Sequence, residues 1–199
     1  MLDHVLDGSL MKTRAGAGLL FIAPLRVHMR YMIRLHFATS NNAAEYEALI
    51  NGLQIAIELG VRCLDVRGNS QLVIDQVMKD SNCHDPKMEA YCKLVRRLED
   101  KFDGLELNHI ARKFNEAADE LAKMASARAS VPPNIFARDL HKPSVDYASA
   151  TQRGPTGQAT HRARGPLYYR DPGGRARGHG SRCRASRGRP RGGLASPPP

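Results

Sequence analysis

Three carboxylates in this chain, Asp7, Glu45 and Asp119, come from separated elements that can converge near one end of a sheet. Asp7 closes a short apolar run and is followed at once by Gly8 and Ser9. Glu45 lies four residues ahead of Leu49, so it heads the apolar stripe Leu49, Gly52, Leu53, Ala56 of a predicted helix. There an unpaired charge would be costly. Asp119 sits between Ala118 and Ala122, near the inner face of a later helix. Carboxylates that converge repel one another and need a cation, and hard oxygen donors favour Mg²⁺ or Mn²⁺. Two such ions about 3.5–4 Å apart clamp a phosphodiester, activating a water and stabilising the leaving oxygen. The chemistry such a converging set would support is metal-dependent phosphodiester hydrolysis.

The elements that must position them are legible from pattern. Leu2 to Leu6 is a short strand ending at Asp7-Gly8-Ser9, and Ala15 to Ala23 is a second, closed by Pro24. Val27 to Phe37 alternates apolar and polar positions, giving a third strand and an antiparallel meander. Ser40, Asn41 and Asn42 offer a cap for the first helix, which stops at Gly60. A strand over Val61 to Val66 follows, then a helix from Gly68-Asn69-Ser70 through Met78. Asp85-Pro86 opens a third helix. Leu105, Leu107 and His109 alternate in a fifth strand, and Asn115 caps a last helix through Met124. The order is βββαβααβα: an α/β domain with a mixed five-stranded sheet flanked by helices.

Composition divides the chain. Residues 1–126 read as the globular domain, 127–150 as a connector, and 151–199 as a disordered tail rich in Arg, Gly and Pro. The tail holds eleven Arg against one acid, Asp171, which accounts for the whole net charge of +10. The folded part is therefore neutral, and the overall charge is no argument for a basic groove. The four cysteines lack zinc spacing. No apolar stretch is long enough for a membrane, and no signal pattern opens the chain. The expectation is an intracellular protein, cytoplasmic or nuclear, with no membrane partner, no small-molecule cofactor, and a monomeric state favoured.

Four blocks in order, LDGSLMKTRAGAG, SNNAAEYEALINGLQIAIELGV, VRGNSQLVIDQV and HIARKFNEAADELAKMA, resemble the ribonuclease H-like domain (type 1, reverse-transcriptase-like). They are most similar to the version in plant long-terminal-repeat retrotransposon polyproteins. The resemblance covers Leu2 to Ser126, and VPPNIFARDLHKPSVD resembles the connector that follows the domain there. It implies two-metal cleavage of the RNA strand of an RNA·DNA hybrid, with Mg²⁺ or Mn²⁺ held by Asp7, Glu45 and Asp119. It also implies that Gly8, Ser9, Asn42, Ser70 and Gln71 meet the nucleic acid, partly through the ribose 2′-hydroxyl.

At one metal position the sequence departs from that pattern. The family's third carboxylate, directly before Ser-Gln, is Asn69 here. Unit charges ~4 Å apart at an effective dielectric of ~20 interact by roughly 4 kcal/mol, so the loss weakens metal binding severely. Asp65, about 13 Å back along a strand at ~3.3 Å per residue, does not replace it. The resemblance thus predicts a hybrid endonuclease with impaired catalysis. The rival readings are a non-catalytic nucleic-acid-binding module and a decayed retrotransposon fragment. Glu47, Glu116 and Glu120 read as solvated helix positions, His109 as structural, and Arg112 and Lys113 as surface cations.

Overall fold

Side-chain alternation assigns the two faces of the first strand before any packing is considered. Leu2, His4, Leu6 and Gly8 share one face; Asp3, Val5 and Asp7 share the other. The computed structural model describes residues 2–11, 14–23, 26–78, 85–146, 167–170 and 176–177. Strands β1 (Leu2–Met11), β2 (Arg14–Ile22) and β3 (His28–Leu35) form the antiparallel meander. Strands β4 (Cys63–Gly68) and β5 (Gly104–His109) add in parallel beyond β1. Helices α1 (Asn41–Glu58), α2 (Gln71–Met78), α3 (Pro86–Glu99) and α4 (Glu116–Ala127) fall in the predicted order. The fold class read from the sequence is the one observed.

Local chemistry sets the helix ends. The Ser40 hydroxyl accepts from the Ala43 N–H at 3.3 Å, and Gly60 leaves α1 with φ of 72°. Asp85 caps α3 through the Lys87 N–H at 2.8 Å, with Pro86 in the first turn. Helix α1 lies against the face that carries Leu2 and Leu6, in the main core with Leu19, Ile33, Leu64 and Leu105. Helix α4 covers the opposite face, where Val5, Leu20 and Ala118 pack together.

Two features differ from the sequence reading. Strand β1 does not end at Asp7 but continues to Met11, with Gly8 paired to Ala17 and Ser9 to Gly16. The sheet also has more than five strands. The expected connector carries β6 (Ile135–Leu140), parallel to β3, so the core order is β6-β3-β2-β1-β4-β5. Two flanking prolines and six residues gave β6 no periodic signal; the open edge of β3 supplies its partner. Of the tail, Leu167–Arg170 pairs with the free edge of β5 and Ala176–Arg177 pairs back on it. The rest of the tail, and the Cys83-His84 pair, lie outside the described residues. Among the described residues no helix is long and apolar enough to cross a membrane.

Candidate active site

Asp7 faces α4 and Glu45 comes from just past the first turn of α1 on the opposite face of the sheet, yet the two meet. They meet because α1 approaches β1 closely at Gly8. A Cβ on Gly8 would lie 2.7 Å from the Glu45 nitrogen, so this position needs glycine for space rather than for a turn. The Gly8 N–H donates to Glu45 Oε2 at 3.0 Å and holds that carboxylate beside β1. Asp119, one turn into α4, lies close enough to Asp7 for the two carboxyls to titrate together. Asn69 follows β4, which pairs in parallel with β1, and its amide lies near enough to Asp7 to pull that carboxyl down. Asp7, Glu45 and Asp119 are 2%, 4% and 9% exposed. The structure therefore brings Asp7, Glu45, Asn69 and Asp119 to one place.

The electrostatics are those of carboxyls that titrate together. Burial, then the hydrogen bond and charge of Asp119, push the Asp7 carboxyl up to about 7. Burial also raises Asp119, but hydrogen bonds from Lys123 and Arg112, and the one from Asp7, outweigh it and hold that group low. Asp7 and Asp119 therefore titrate as a pair, the Asp7 side raised and the Asp119 side held low. Burial and the nearby Asp7 push Glu45 up to about 8, against the pull of the Gly8 N–H and of Arg112. Arg112 donates to Asp119 Oδ1 at 3.0 Å, and Lys123 closes an ion pair with the other oxygen one turn along α4.

Whether two divalent cations fit here depends on the free donors. Asn69 commits its amide oxygen to Asn115 Nδ2 at 3.0 Å and brings no charge. Asp119 is engaged by two cationic side chains, and Glu45 by a backbone N–H. Among the described residues no three His, Cys, Asp or Glu side chains are arranged to hold one metal ion. As arranged, the donor set does not fit a metal pair: Asp119 is paired with two basic side chains, Glu45 holds a backbone N–H, and Asn69 brings no charge. Asp65 is no substitute, because Arg67 (2.6 Å) and Asn108 (2.7 Å) occupy its two oxygens.

The other predicted residues lie on or next to the elements that carry this cluster. Gly8 and Ser9 are on β1, Asn42 in the first turn of α1, and Ser70 and Gln71 at the β4–α2 junction. Gln71 is turned along its own helix, donating to Asp75 Oδ1 at 2.9 Å. His109 is exposed, its Nε2 3.3 Å from the Asn69 carbonyl oxygen. Sequence reasoning undervalued two residues. Arg112, read as a surface cation, is bonded to Asp119. Asn115, read as a cap, makes no cap hydrogen bond and instead ties Leu6 O (2.9 Å) to Asn69. Their spacing ahead of Asp119 was the available signal, but spacing alone does not distinguish a surface residue from a site residue.

The family described as reverse transcriptase-like matches residues 7–125, a span from Asp7 past Asp119. The chain belongs to this family. Ribonuclease HI of Halobacterium salinarum is 38% identical over 86 residues, 43% of this chain and 43% of that protein. The crystal structure of RNase H1 from the same archaeon superposes with a TM-score of 0.57 at 30% identity, covering 64% of this chain and 98% of that one. LC11-RNase H1, solved in complex with an RNA/DNA hybrid, gives 0.58 at 25% identity, covering 64% and 98%. The domain is ribonuclease H-like.

Proposed function

We propose that this reverse transcriptase-like domain engages RNA·DNA hybrids and that Asn69 cripples its hydrolysis of the RNA strand. The observation that carries the reading is the cluster of Asp7, Glu45 and Asp119 with a neutral amide at the fourth position. A ribonuclease H-type site needs negative charge there to hold Mg²⁺ or Mn²⁺; Asn69 brings none. Gly8, Ser9, Asn42, Ser70 and Gln71 form the proposed nucleic-acid rim, supported by their places on or next to the elements that carry the cluster and by the hybrid bound to LC11-RNase H1. The resemblance of the four sequence blocks supports an origin in a plant retrotransposon polyprotein, acting inside the cell. The same neutral amide favours one second reading, a module that binds hybrid and cuts nothing.

The test compares the full chain with Asn69→Asp on a labelled RNA·DNA hybrid in Mg²⁺ or Mn²⁺. Restoring a unit charge worth roughly 4 kcal/mol against a cation raises metal affinity by ~10²-fold or more. The Asp variant is expected to cut and to melt at higher temperature when Mn²⁺ is added, while the parent does neither. Parent cleavage equal to that of the variant, abolished by Asp7→Asn, refutes the impairment. Hybrid binding by both without cleavage by either favours the binding module.

A further inference from the structure

The 3-10 turn Arg112–Phe114, between β5 and α4, displays a ring that the core does not use. Phe114 is 70% exposed, far more than any buried-core aromatic of this chain. Its recorded ring partner is a cation: Lys113 Nζ stands 5.0 Å from the ring centroid. The turn is not loosely held. The Phe114 N–H donates to Ala111 O at 2.8 Å and the Asn115 N–H to Arg112 O at 2.9 Å. The buried Asn115 side chain then fastens the turn to Leu6 and Asn69, and Arg112 fastens it to Asp119. An aromatic face and two basic side chains are thereby fixed at the edge of the carboxylate cluster.

We infer that Phe114 is a stacking platform for an unpaired nucleotide flanking the hybrid, with Lys113 and Arg112 beside it for the adjoining phosphates. The inference deepens the nucleic-acid reading and rests on it. A flat apolar ring interleaved with cations matches a nucleotide, which presents a π-face next to a negative charge. Bases inside a continuous duplex have both faces covered by their neighbours. The open face belongs to a nucleotide at a strand end or in a single-stranded flank. The favoured ligand is therefore a hybrid with a single-stranded overhang rather than a blunt one.

The chain contains no tryptophan, so Phe114→Trp introduces a single fluorescent reporter at this position. Binding of full-length parent, Phe114→Ala and Phe114→Trp is measured against a blunt hybrid, the same hybrid with an RNA overhang, and single-stranded RNA. Salt is kept high enough to suppress non-specific binding by the arginine-rich tail. The overhang is expected to quench the tryptophan saturably. Phe114→Ala should lose about tenfold in affinity for the overhang hybrid and less than twofold for the blunt one, and Phe114→Trp should retain affinity. An unchanged emission together with an unchanged Phe114→Ala affinity overturns the inference while leaving hybrid binding intact. Equal losses on blunt and overhang hybrids overturn it as well, since the ring would then meet the duplex. Failure of the parent to bind any probe overturns the nucleic-acid reading and this inference with it.

Discussion

Replacing His4 by leucine, alone and together with Gly52→Ala, probes the contact between β1 and α1. The His4 ring is fully buried, stacked on Phe21 with centroids 4.3 Å apart and planes 7° from parallel. Neither ring nitrogen has a hydrogen-bond partner. Each unsatisfied polar atom costs ~1–3 kcal/mol. Leucine removes both, loses ring stacking worth ~0.5–1.5 kcal/mol, and should stabilise the domain by about 1–3 kcal/mol at pH 7. Burial holds the His4 ring down to about 3, against 6.5 for a free imidazole. Because the folded value is the lower one, the neutral ring's contribution is complete above 6.5 and is lost as pH falls toward 3. At ~1.4 kcal/mol per pH unit that loss totals ~5 kcal/mol, of which ~2 is gone by pH 5. The leucine variant escapes it, so its advantage should widen by ~2 kcal/mol between pH 7 and pH 5.

Gly52 completes the test. A Cβ there would meet His4 Cε1 at 1.9 Å and Nε2 at 2.7 Å, both atoms that leucine lacks. In the parent, Gly52→Ala should cost about 2 kcal/mol or more through overpacking. On the leucine background it should be neutral or gain up to ~1 kcal/mol from helix propensity. The double-mutant coupling is thus ~2–3 kcal/mol. Urea unfolding followed by circular dichroism at the two pH values measures all four proteins. Additive effects, or a leucine advantage that does not change with pH, would refute the packing argument.

Two further outcomes follow from the buried Glu47. This carboxylate, 0% exposed, accepts from Tyr91 OH at 2.7 Å, Ser144 N at 2.8 Å and Ser144 Oγ at 2.5 Å. Glu47→Ala orphans those donors and should cost ~3 kcal/mol or more, read as a lower urea midpoint; a shift under ~1 kcal/mol would count against the network. Truncation after Ala129 removes β6, Ser144 and the buried Val145. It should lower the melting temperature by more than 5 °C, at ~2–4 °C per kcal/mol for a domain of this size, whereas a passive connector would leave it unchanged.

What could be read without a structure was whatever is written in local repeats. The period of two in Met29, Tyr31, Ile33 and Leu35, the Asp85-Pro86 opening and the Gly60 stop each follow from neighbours within a few residues. The sequence by itself therefore determined the order of elements from β1 through α4. It also determined that Asp7, Glu45 and Asp119 sit where helices and strands bury them, and that Asn69 is neutral. Only the tertiary structure decided what those side chains do to one another. The coupling of Asp7 to Asp119 joins β1 to α4. The Asn115 bond to Asn69 spans 46 residues, and the Glu47 bond to Ser144 spans 97. Glu47 read as solvated because its helix position gave no hint that Tyr91 and a segment past the domain's expected end would close over it. Strand β6 was silent for the same reason: its partner, β3, lies a hundred residues upstream. Local pattern records which face a residue presents, while a partner far along the chain is chosen by packing, and packing exists only once the sheet is assembled.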